Sequence, residues 1–553
     1  MHNIKKIYYE IIRKFALFFV RNIEITNIGG IQVKIKDMLF GKIDAYHEFL
    51  TSDRENFKNI FFDIPNIDVN KILNGDVYYI LGNKGTGKTM LLKYLESIVS
   101  EPPETQFAEF IRFKRDVDEE QRNIIKRSGI PNNAFEEIID SEIPNDTSID
   151  SSLAWQAYII KVIYNRIQCT ESGVFIRDEN WNKLGVLLKE VYGKNEKENS
   201  LNIKRIIPKI KRGNIALDFP SIAKTNIEFE WQDKDSGTVR FYDVAKKIVD
   251  LYSKLSPTKK KIYIFIDELE LSFKKSKSYR RDVALIRDLI VAMEYLSDLN
   301  RQNMYHVYIV AAIRTEVYHS VVSIGDELNK SVIDFGITIT WGQNGGDIEN
   351  HPLLKMLEKR IQYSEKSNGL SKTNDIWTNY FPTSVFSKKT QNYILDQTWC
   401  KPRDITRFFG LIQKRYGDRE RFTQEIFEGI RKDYAKESWS EFSETLSASY
   451  NLDSIEGIKK SLIGMSLPFT LAEYSQILKQ KSELSKEVKE LIRTHTNAFD
   501  ILDDLYKCGI IGNYEKRQVR FVFKGDDDFD PTMQMTIHYP LLRFFDAKNK
   551  NFQ

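Results

Sequence analysis

The sequence predicts an α/β protein: a parallel-sheet core with a large insertion, then a helical lid and a C-terminal winged-helix-like domain. Three observations predict this class: a glycine-rich loop between an apolar run and a helical segment, a second apolar run that ends in two acids, and a mostly helical region after the core. The predicted divisions are an N-terminal helix and connector (1–50), the core (51–345, insertion 117–260), the lid (346–450) and the winged-helix-like domain (451–553). Within the insertion the sequence predicts a helix at 153–167 and a hairpin at 226–244.

Composition narrows the class of protein. Of the 553 residues, 41% are hydrophobic, which is enough for substantial cores, and the formal net charge of +4 does not indicate a nucleic-acid binder. The cysteines lie far apart without a C-x-x-C pair, which argues against a disulfide framework or a zinc site and predicts a cytoplasmic protein. They are Cys169, Cys400 and Cys508.

The N-terminal 50 residues predict an amphipathic helix around residues 14–22, a short strand at 31–35 and a connector. The apolar run near residue 14 is too short for a secretory signal, and a membrane span needs about 18 apolar residues. We therefore expect no association with a membrane.

The glycine-rich loop matches G-x-x-x-x-G-K-[ST] and stands between a predicted strand (77–81) and a predicted helix (90–97). Glycines allow backbone N–H groups to surround a polyphosphate, and the helix N-terminus adds partial positive charge. Lys88 would contact the β- and γ-phosphates, and the Thr89 hydroxyl would bind Mg²⁺. The alternative is a glycine-rich surface loop. The loop residues are Gly82, Asn83, Lys84, Gly85, Thr86, Gly87, Lys88 and Thr89.

The second apolar run, residues 262–266, predicts a strand buried on both faces, and it ends in Asp267 and Glu268. As partners of a phosphate-binding loop, Asp267 would hold Mg²⁺ and Glu268 would orient or deprotonate the attacking water. The alternative is an acidic helix start, because acids favour helix N-termini.

Two arginines follow at positions suited to sensing phosphate. Arg314 lies at the end of a predicted strand (305–312) next to the acidic one, and the alternative for it is a surface salt bridge. Arg403 lies in the first turn of a helix that begins at Pro402 in the lid. It would reach back to the phosphates and couple lid closure to the nucleotide state, or else it is an exposed helix arginine.

These motifs, in this order, resemble the AAA+/STAND branch of P-loop ATPases, especially origin-recognition-like and prokaryotic stand-alone ATPases that include a little-studied bacterial group. The resemblance covers roughly residues 38–116 and 260–412 and the C-terminus, but not the insertion. In that bacterial group the pattern F-G-x-x-D-A-x-x-E precedes the loop, and here Phe40, Gly41, Asp44, Ala45 and Glu48 match it.

The resemblance implies ATP and Mg²⁺ as ligands, and it implies that the box around Asp44 lies near the adenine. It implies sensor-1-like and sensor-2-like roles for Arg314 and Arg403. Many relatives have asparagine at the first of these positions, which leaves the hydrolysis rate open. No L-S-G-G-Q motif occurs, so an ABC- or SMC-type ATPase is not expected.

The C-terminal region predicts helices at 470–480 and 497–511, followed by a two-stranded wing (518–525 and 531–545). Its acids, including Asp500, Asp503 and Asp504, oppose DNA binding, which depends on neutralising phosphates. We therefore expect protein docking or an intramolecular role. Basic clusters at 204–212 and 274–281 are interpreted as solvated faces. The alternatives are a nucleic-acid or acidic-partner contact for the first cluster and a trans-acting arginine finger, Arg280 or Arg281, for the second.

Taken together, the sequence predicts a slow Mg²⁺-ATPase whose nucleotide state controls homo-oligomer assembly or engagement of a partner protein. The resemblance favours a bacterial regulatory or antiphage setting. Two alternatives stay open: a DNA-loading or DNA-remodelling factor that uses the basic insertion, and an ATP-locked scaffold that hardly turns over.

Overall fold

The computed structural model describes most of the chain. Described are residues 32–100, 106–128, 151–168, 173–193, 216–218, 238–269, 271, 277–323, 328–342, 348–447, 449–495, 497–515, 518–526 and 528–549. The predicted N-terminal helix and the basic cluster at 204–212 lie outside these ranges.

A five-stranded parallel sheet forms the core, in the order β2-β5-β6-β1-β7. The predicted α/β class with a parallel sheet is therefore confirmed. The strands are β1 (Tyr79–Gly82), β2 (Gln106–Arg112), β5 (Lys261–Leu269), β6 (Val307–Arg314) and β7 (Gly336–Thr338), and two short strands of the insertion, β3 (Ala216–Asp218) and β4 (Thr238–Arg240), form an antiparallel pair.

Both faces of the sheet are covered, which explains why its central strands are apolar at nearly every position. In β5, Ile262, Ile264 and Ile266 face one hydrophobic cluster, whereas Tyr263 and Phe265 face the other. The helices of this part of the chain are α1 (Ala45–Thr51), α2 (Arg54–Ile60), α3 (Val69–Leu73), α4 (Lys88–Val99), α5 (Phe113–Asp116), α6 (Glu119–Ser128), α7 (Ser152–Gln168), α8 (Glu179–Tyr192), α9 (Phe241–Tyr252), α10 (Lys277–Gln302), α11 (Thr315–Val322) and α12 (Leu328–Phe335).

The two faces carry different helices. The face that includes Phe265 packs against α4 and against the lid, whereas the face that includes Ile264 packs against α7, α9 and α10. The long segment between the loop and the acids thus supplies α7 and α9 to this side of the sheet, whereas α10 follows the acids. The helix predicted at 153–167 is confirmed as α7.

Two local predictions were wrong. The short strand predicted at 31–35 is absent from its described part, and Ile35–Asp37 forms a 3₁₀ helix. The backbone N–H of Ile35 donates instead to Arg419 in the lid, 2.8 Å away, so a tertiary contact replaces strand pairing. Most of the hairpin predicted at 226–244 lies outside the described residues. Its described end was wrong, because β4 pairs with β3 and the chain becomes helical at Phe241.

The predicted lid is helical and packs around a group of stacked and edge-on aromatic rings. Its elements are α13 (Pro352–Ser367), α14 (Ile376–Tyr380), β8 (Ser384–Val385), β9 (Lys388–Lys389), α15 (Thr390–Asp396), α16 (Pro402–Tyr416) and α17 (Gln424–Leu446). The ring of Phe40, from the segment before the core, stacks on Phe409 with a centroid distance of 5.0 Å. The N-terminal connector is therefore part of the lid's hydrophobic core.

The C-terminal region combines four helices with a small antiparallel sheet in the order β12-β11-β13. Its elements are α18 (Leu452–Leu462), β10 (Ser466–Leu467), α19 (Leu471–Leu484), α20 (Lys486–Thr494), α21 (Ala498–Lys507), β11 (Ile511–Glu515), β12 (Gln518–Arg520), β13 (Gln534–Ile537) and β14 (Lys548–Asn549). The helix predicted to continue to residue 511 ends at Lys507, because Gly509 is left-handed (φ 76°) and closes the helix with a Schellman pattern of hydrogen bonds.

This region is docked on the lid. The indole Nε1 of Trp399 donates to the carbonyl oxygen of Gly509 over 2.8 Å, and Nε2 of His538 lies 2.9 Å from the carbonyl oxygen of Thr398. None of the helices in the described ranges is long and apolar enough to cross a membrane.

Candidate functional site

The glycine-rich loop joins β1 to α4, as the sequence predicted. Gly87 is the N-cap of α4 and has φ 98°, a left-handed conformation that favours glycine. Trp341 donates its indole N–H to the carbonyl oxygen of Thr86 over 2.9 Å, and the Thr86 hydroxyl donates to Asn83 over 2.9 Å. The loop is therefore held from outside by a tryptophan that follows β7.

Lys88 lies inside this loop. Its ammonium donates to the carbonyl oxygens of Gly82 (2.7 Å) and Asn83 (3.0 Å), and the residue is 8% exposed. Burial lowers the pKa of Lys88 to about 8, against weaker opposing effects of nearby acids. A buried ammonium that is bonded only to neutral carbonyls is a strong attractor for an anion in the adjacent cavity.

The acidic pair lies at the carboxyl end of β5, and β6 separates this strand from β1. The register of β5 against β6 shifts between Ile266 and Leu269, so Asp267 and Glu268 occupy an irregularity of the strand. Glu268 has φ 58°, and its backbone N–H donates to the Asp267 carboxylate over 2.8 Å. Bulges and strained residues of this kind are concentrated next to active sites.

Arg314 lies between the loop and the acids, because it ends β6 and pairs in register with Gly82 of β1. Its Nη1 is 3.7 Å from Oε1 of Glu316, so the salt bridge considered as an alternative does form. Arg314 also lines the cavity described below. The salt bridge with Glu316 therefore does not exclude a contact between Arg314 and a ligand in the cavity.

Arg115 is a site residue that the sequence analysis missed. Its Nε is 3.2 Å from Oε1 of Glu268, and its Nη2 is 3.9 Å from Oδ2 of Asp44. The position of Arg115 could have been predicted, because Arg115 follows the end of β2 by three residues and β2 is the neighbour of β5. Parallel strands bring their carboxyl ends to the same edge of a sheet, where ligands bind.

The lid contributes cations and acids from two helices. Arg403, in the first turn of α16, is 3.2 Å from Glu441 of α17, and Arg407 also contacts Glu441. The Arg403 side chain packs on the loop, since a Cβ placed on Gly85 would lie 3.2 Å from Arg403 Cβ. Lys84 of the loop is 2.8 Å from Glu444 of α17. The loop and the lid are thus joined by the Lys84–Glu444 ion pair and by the packing of Arg403 on Gly85.

The box that precedes the core also reaches the cavity. Asp44 is the N-cap of α1, and its carboxylate accepts the N–H groups of Tyr46 (2.8 Å) and His47 (3.4 Å). Glu48, one turn later, forms a buried ion pair with Arg360 of α13 at 2.8 Å. Phe40 does not line the cavity, because its ring is packed within the lid.

One cavity of about 710 Å³ collects most of these side chains. This volume lies within the range of about 300–1,000 Å³ that is usual for cofactor and substrate sites. Of the residues proposed from the sequence, Gly82, Asn83 and Thr86 do not line it. Those that do are Asp44, Lys84, Gly85, Gly87, Lys88, Thr89, Asp267, Glu268, Arg314 and Arg403.

The cluster that follows the acids does not supply Arg281 as an arginine finger. Arg281 is 7% exposed, and its guanidinium bonds to Glu119 (2.9 Å) and Asp282 (2.7 Å). These contacts join α10 to α6 and give Arg281 a structural role. Arg280 is exposed on the same helix.

Comparison with known proteins identifies one part of the chain. The family model of the FunZ-associated C-terminal helical domain matches residues 351–443. This match covers the lid helices from α13 to most of α17, including Arg360, Arg403 and Glu441. No curated protein shows significant similarity to the sequence.

Proposed function

We propose that this protein is a P-loop ATPase of the AAA+/STAND type that binds Mg²⁺-ATP and hydrolyses it slowly. In this proposal the nucleotide state controls assembly or the engagement of a partner protein. One observation carries it: a single cavity is lined by the glycine-rich loop with the buried Lys88, by an acidic pair, and by arginines from the sheet and the lid.

The residues present fit a magnesium nucleotide. Lys88 and the loop N–H groups would bind the phosphates, while the Thr89 hydroxyl and Asp267 would be ligands of Mg²⁺. Mg²⁺ sites commonly use one or two carboxylates together with substrate phosphates. The described residues contain no cluster of three or more His, Cys, Asp or Glu that could hold a metal ion. Bound Mg²⁺ would neutralise charge on the phosphates during hydrolysis.

The position of Glu268 supports the proposal of slow turnover. As a general base Glu268 would orient or deprotonate water, but its carboxylate is paired with Arg115 at 3.2 Å. It would have to leave this pair, or share its charge, before accepting a proton. Arg314 and Arg403 would contact the phosphates from the sheet and from the lid.

The ion pairs of α17 support a switch. A triphosphate would compete with Glu444 for Lys84 and with Glu441 for Arg403, because all four side chains lie at or next to the loop. Helix α17 leads into the winged-helix-like region, and its residue Trp439 packs on Phe545 with a centroid distance of 5.3 Å. Loss of these ion pairs would therefore alter the packing of α17 against the C-terminal region.

Protein docking is favoured over DNA binding for the C-terminal region. Helix α21 presents Asp500 to solvent, and its only basic residue, Lys507, is paired with Asp503 at 2.6 Å. DNA affinity requires free cations on such a face. The basic cluster of the insertion lies outside the described residues.

The first test is binding and hydrolysis of Mg²⁺-ATP by the full chain. We expect Lys88→Ala to lower ATP affinity at least about tenfold, because a charge-assisted contact is lost. Glu268→Gln should bind ATP normally and hydrolyse it about 100-fold more slowly. Lys366→Ala, at an exposed position of α13, is the control.

The second measurement is the size of the Glu268→Gln protein in solution, with and without Mg²⁺-ATP. A larger species with nucleotide supports control of assembly, whereas an unchanged size leaves partner engagement as the output. Undiminished ATP affinity in Lys88→Ala would refute the ATPase proposal. Hydrolysis that is unaffected by Glu268→Gln would refute the role of Glu268.

A further inference from the structure

The wall of the cavity contains a buried ion pair that belongs to α1 and α13 and not to the glycine-rich loop. Glu48 of α1 and Arg360 of α13 are 4% and 5% exposed, and Oε1 of Glu48 is 2.8 Å from Nη1 of Arg360. Both residues line the cavity. Burying two charges is costly, so a pair of this kind is weak evidence for stability and calls for another explanation.

The backbone is shaped around this pair. Gly41 has φ 89°, and a Cβ placed there would lie 2.1 Å from Nη1 of Arg360. The N–H of Lys42 donates to Oε2 of Glu48 over 3.0 Å. Each carboxylate oxygen thus has a partner, and the guanidinium is held in one position.

Not every N–H donor of the Arg360 guanidinium has an acceptor. Of its three nitrogens only Nη1 has a hydrogen-bond partner among the described residues, and Nε is buried without one. A guanidinium offers five N–H donors, and a buried donor without an acceptor is costly. Since Nε is enclosed and Nη1 is bonded to Glu48, Nη2 is the donor of this cavity-lining side chain that a ligand can meet.

The position in the cavity indicates which part of a nucleotide this would be. The phosphates are expected at Lys88 and Thr89, so the base must occupy a different part of the same cavity. Besides Glu48 and Arg360, the lining includes apolar side chains suited to an aromatic base. These are Ile43, Ala45, Phe62, Ile64 and Met356.

We propose that Arg360 determines base specificity by donating a hydrogen bond to a ring nitrogen of the purine, while Glu48 holds the guanidinium in place. This inference rests on the proposed nucleotide-binding function and adds a specificity residue from the FunZ-associated helical region. Ring nitrogens N1, N3 and N7 of adenine are the available acceptors. Inorganic tripolyphosphate lacks the base and should not depend on Arg360.

The experiment compares ATP with 1-deaza-, 3-deaza- and 7-deaza-ATP, each of which lacks one ring nitrogen. For the unmodified full-length protein we expect one analogue to bind about tenfold more weakly than ATP. In Arg360→Met this preference should disappear, with ATP affinity reduced by a similar factor. The affinity for tripolyphosphate should not change. A purely structural role of Arg360 would not produce selective loss for one analogue.

A second variant guards against misfolding, because Arg360→Met leaves the Glu48 carboxylate buried without its partner. The double variant Glu48→Gln/Arg360→Met removes both charges and should show the same loss of analogue discrimination. Equal affinity of the unmodified protein for ATP and all three analogues would overturn the inference, as would retained discrimination in both variants. Either result, together with weaker ATP binding by Lys88→Ala, would leave the proposed function intact.

Discussion

Individual residues of the glycine-rich loop are constrained in two separate ways, by their backbone conformation and by close contact with neighbouring side chains. Gly85 is subject to both, because its φ is 87° and the Arg403 side chain lies against it. Gly369, at the end of α13, has a similar φ of 76° but nothing within 4 Å of the position a Cβ would take. A comparison of alanine variants at these two glycines therefore separates the effect of backbone conformation from the effect of contact with Arg403.

We predict that Gly85→Ala and Gly369→Ala each lose about 1–2 kcal/mol of folding stability, the cost of a left-handed conformation for a residue with a side chain. Only Gly85→Ala should also weaken ATP binding, because its new methyl group displaces Arg403 from the loop. Chemical denaturation and equilibrium ATP binding measure the two effects. Equal ATP affinity in the two variants would argue against an ATP contact by Arg403.

At the scale of elements, α17 links the candidate site to the C-terminal region. One face of this helix carries Glu441 and Glu444, which pair with Arg403 and Lys84. Other residues of the same helix pack in the opposite direction, as shown by Phe442 and Trp399 with ring centroids 4.9 Å apart. A single helix is therefore bonded both to the loop and to the interface between the lid and the C-terminal region.

We predict that Glu444→Gln increases ATP affinity, because Lys84 no longer has to leave an ion pair to bind phosphate. The increase should not exceed about fivefold, since partly exposed pairs contribute up to about 1 kcal/mol. Glu437→Gln, two turns earlier on α17 and outside the cavity, should have no effect. A decrease in ATP affinity for Glu444→Gln would mean that Glu444 supports the bound state.

At the scale of the whole molecule, the lid is packed between the sheet and the C-terminal region. His538 lies at the second of these contacts and is 5% exposed, and its imidazole faces the carbonyl oxygen of Thr398. Burial lowers the pKa of His538 to about 3. A neutral histidine is thus enclosed where the two regions meet.

This burial predicts how stability depends on pH. An unfolded histidine has a pKa of about 6.5, so below that pH the unfolded chain binds a proton that folded His538 does not. The contribution of the buried neutral imidazole to the free energy of unfolding is fully present above pH 6.5 and declines as the pH falls towards 3. At pH 5 it has declined by about 2 kcal/mol. We expect His538→Gln to remove this decline, measured by denaturation at pH 7.5 and pH 5.

The control for this experiment is His319→Gln, at an exposed position on α11. This variant should show the same change in stability between pH 7.5 and pH 5 as the unmodified protein. If His538→Gln retains the full decline, other buried groups are responsible for the acid sensitivity.

The local chemistry of the candidate site was predictable from the sequence, because it depends on contiguous residues. The loop from Gly82 to Thr89 and the acids after the strand at 262–266 are short patterns whose spacing is set by a turn and by a strand end. The parallel sheet followed from the same apolar runs. Whether these residues bind ATP remains a prediction.

Contacts between distant segments were decided only by the tertiary structure. Arg115 meets Glu268 because β2 lies beside β5, and Glu48 meets Arg360 because the N-terminal connector packs on the lid. The strand expected at 31–35 was wrong for the same reason, since its backbone hydrogen bonds go to the lid instead of to a sheet. Local patterns identify which chemical groups are present, but the packing of segments hundreds of residues apart determines which of those groups are paired.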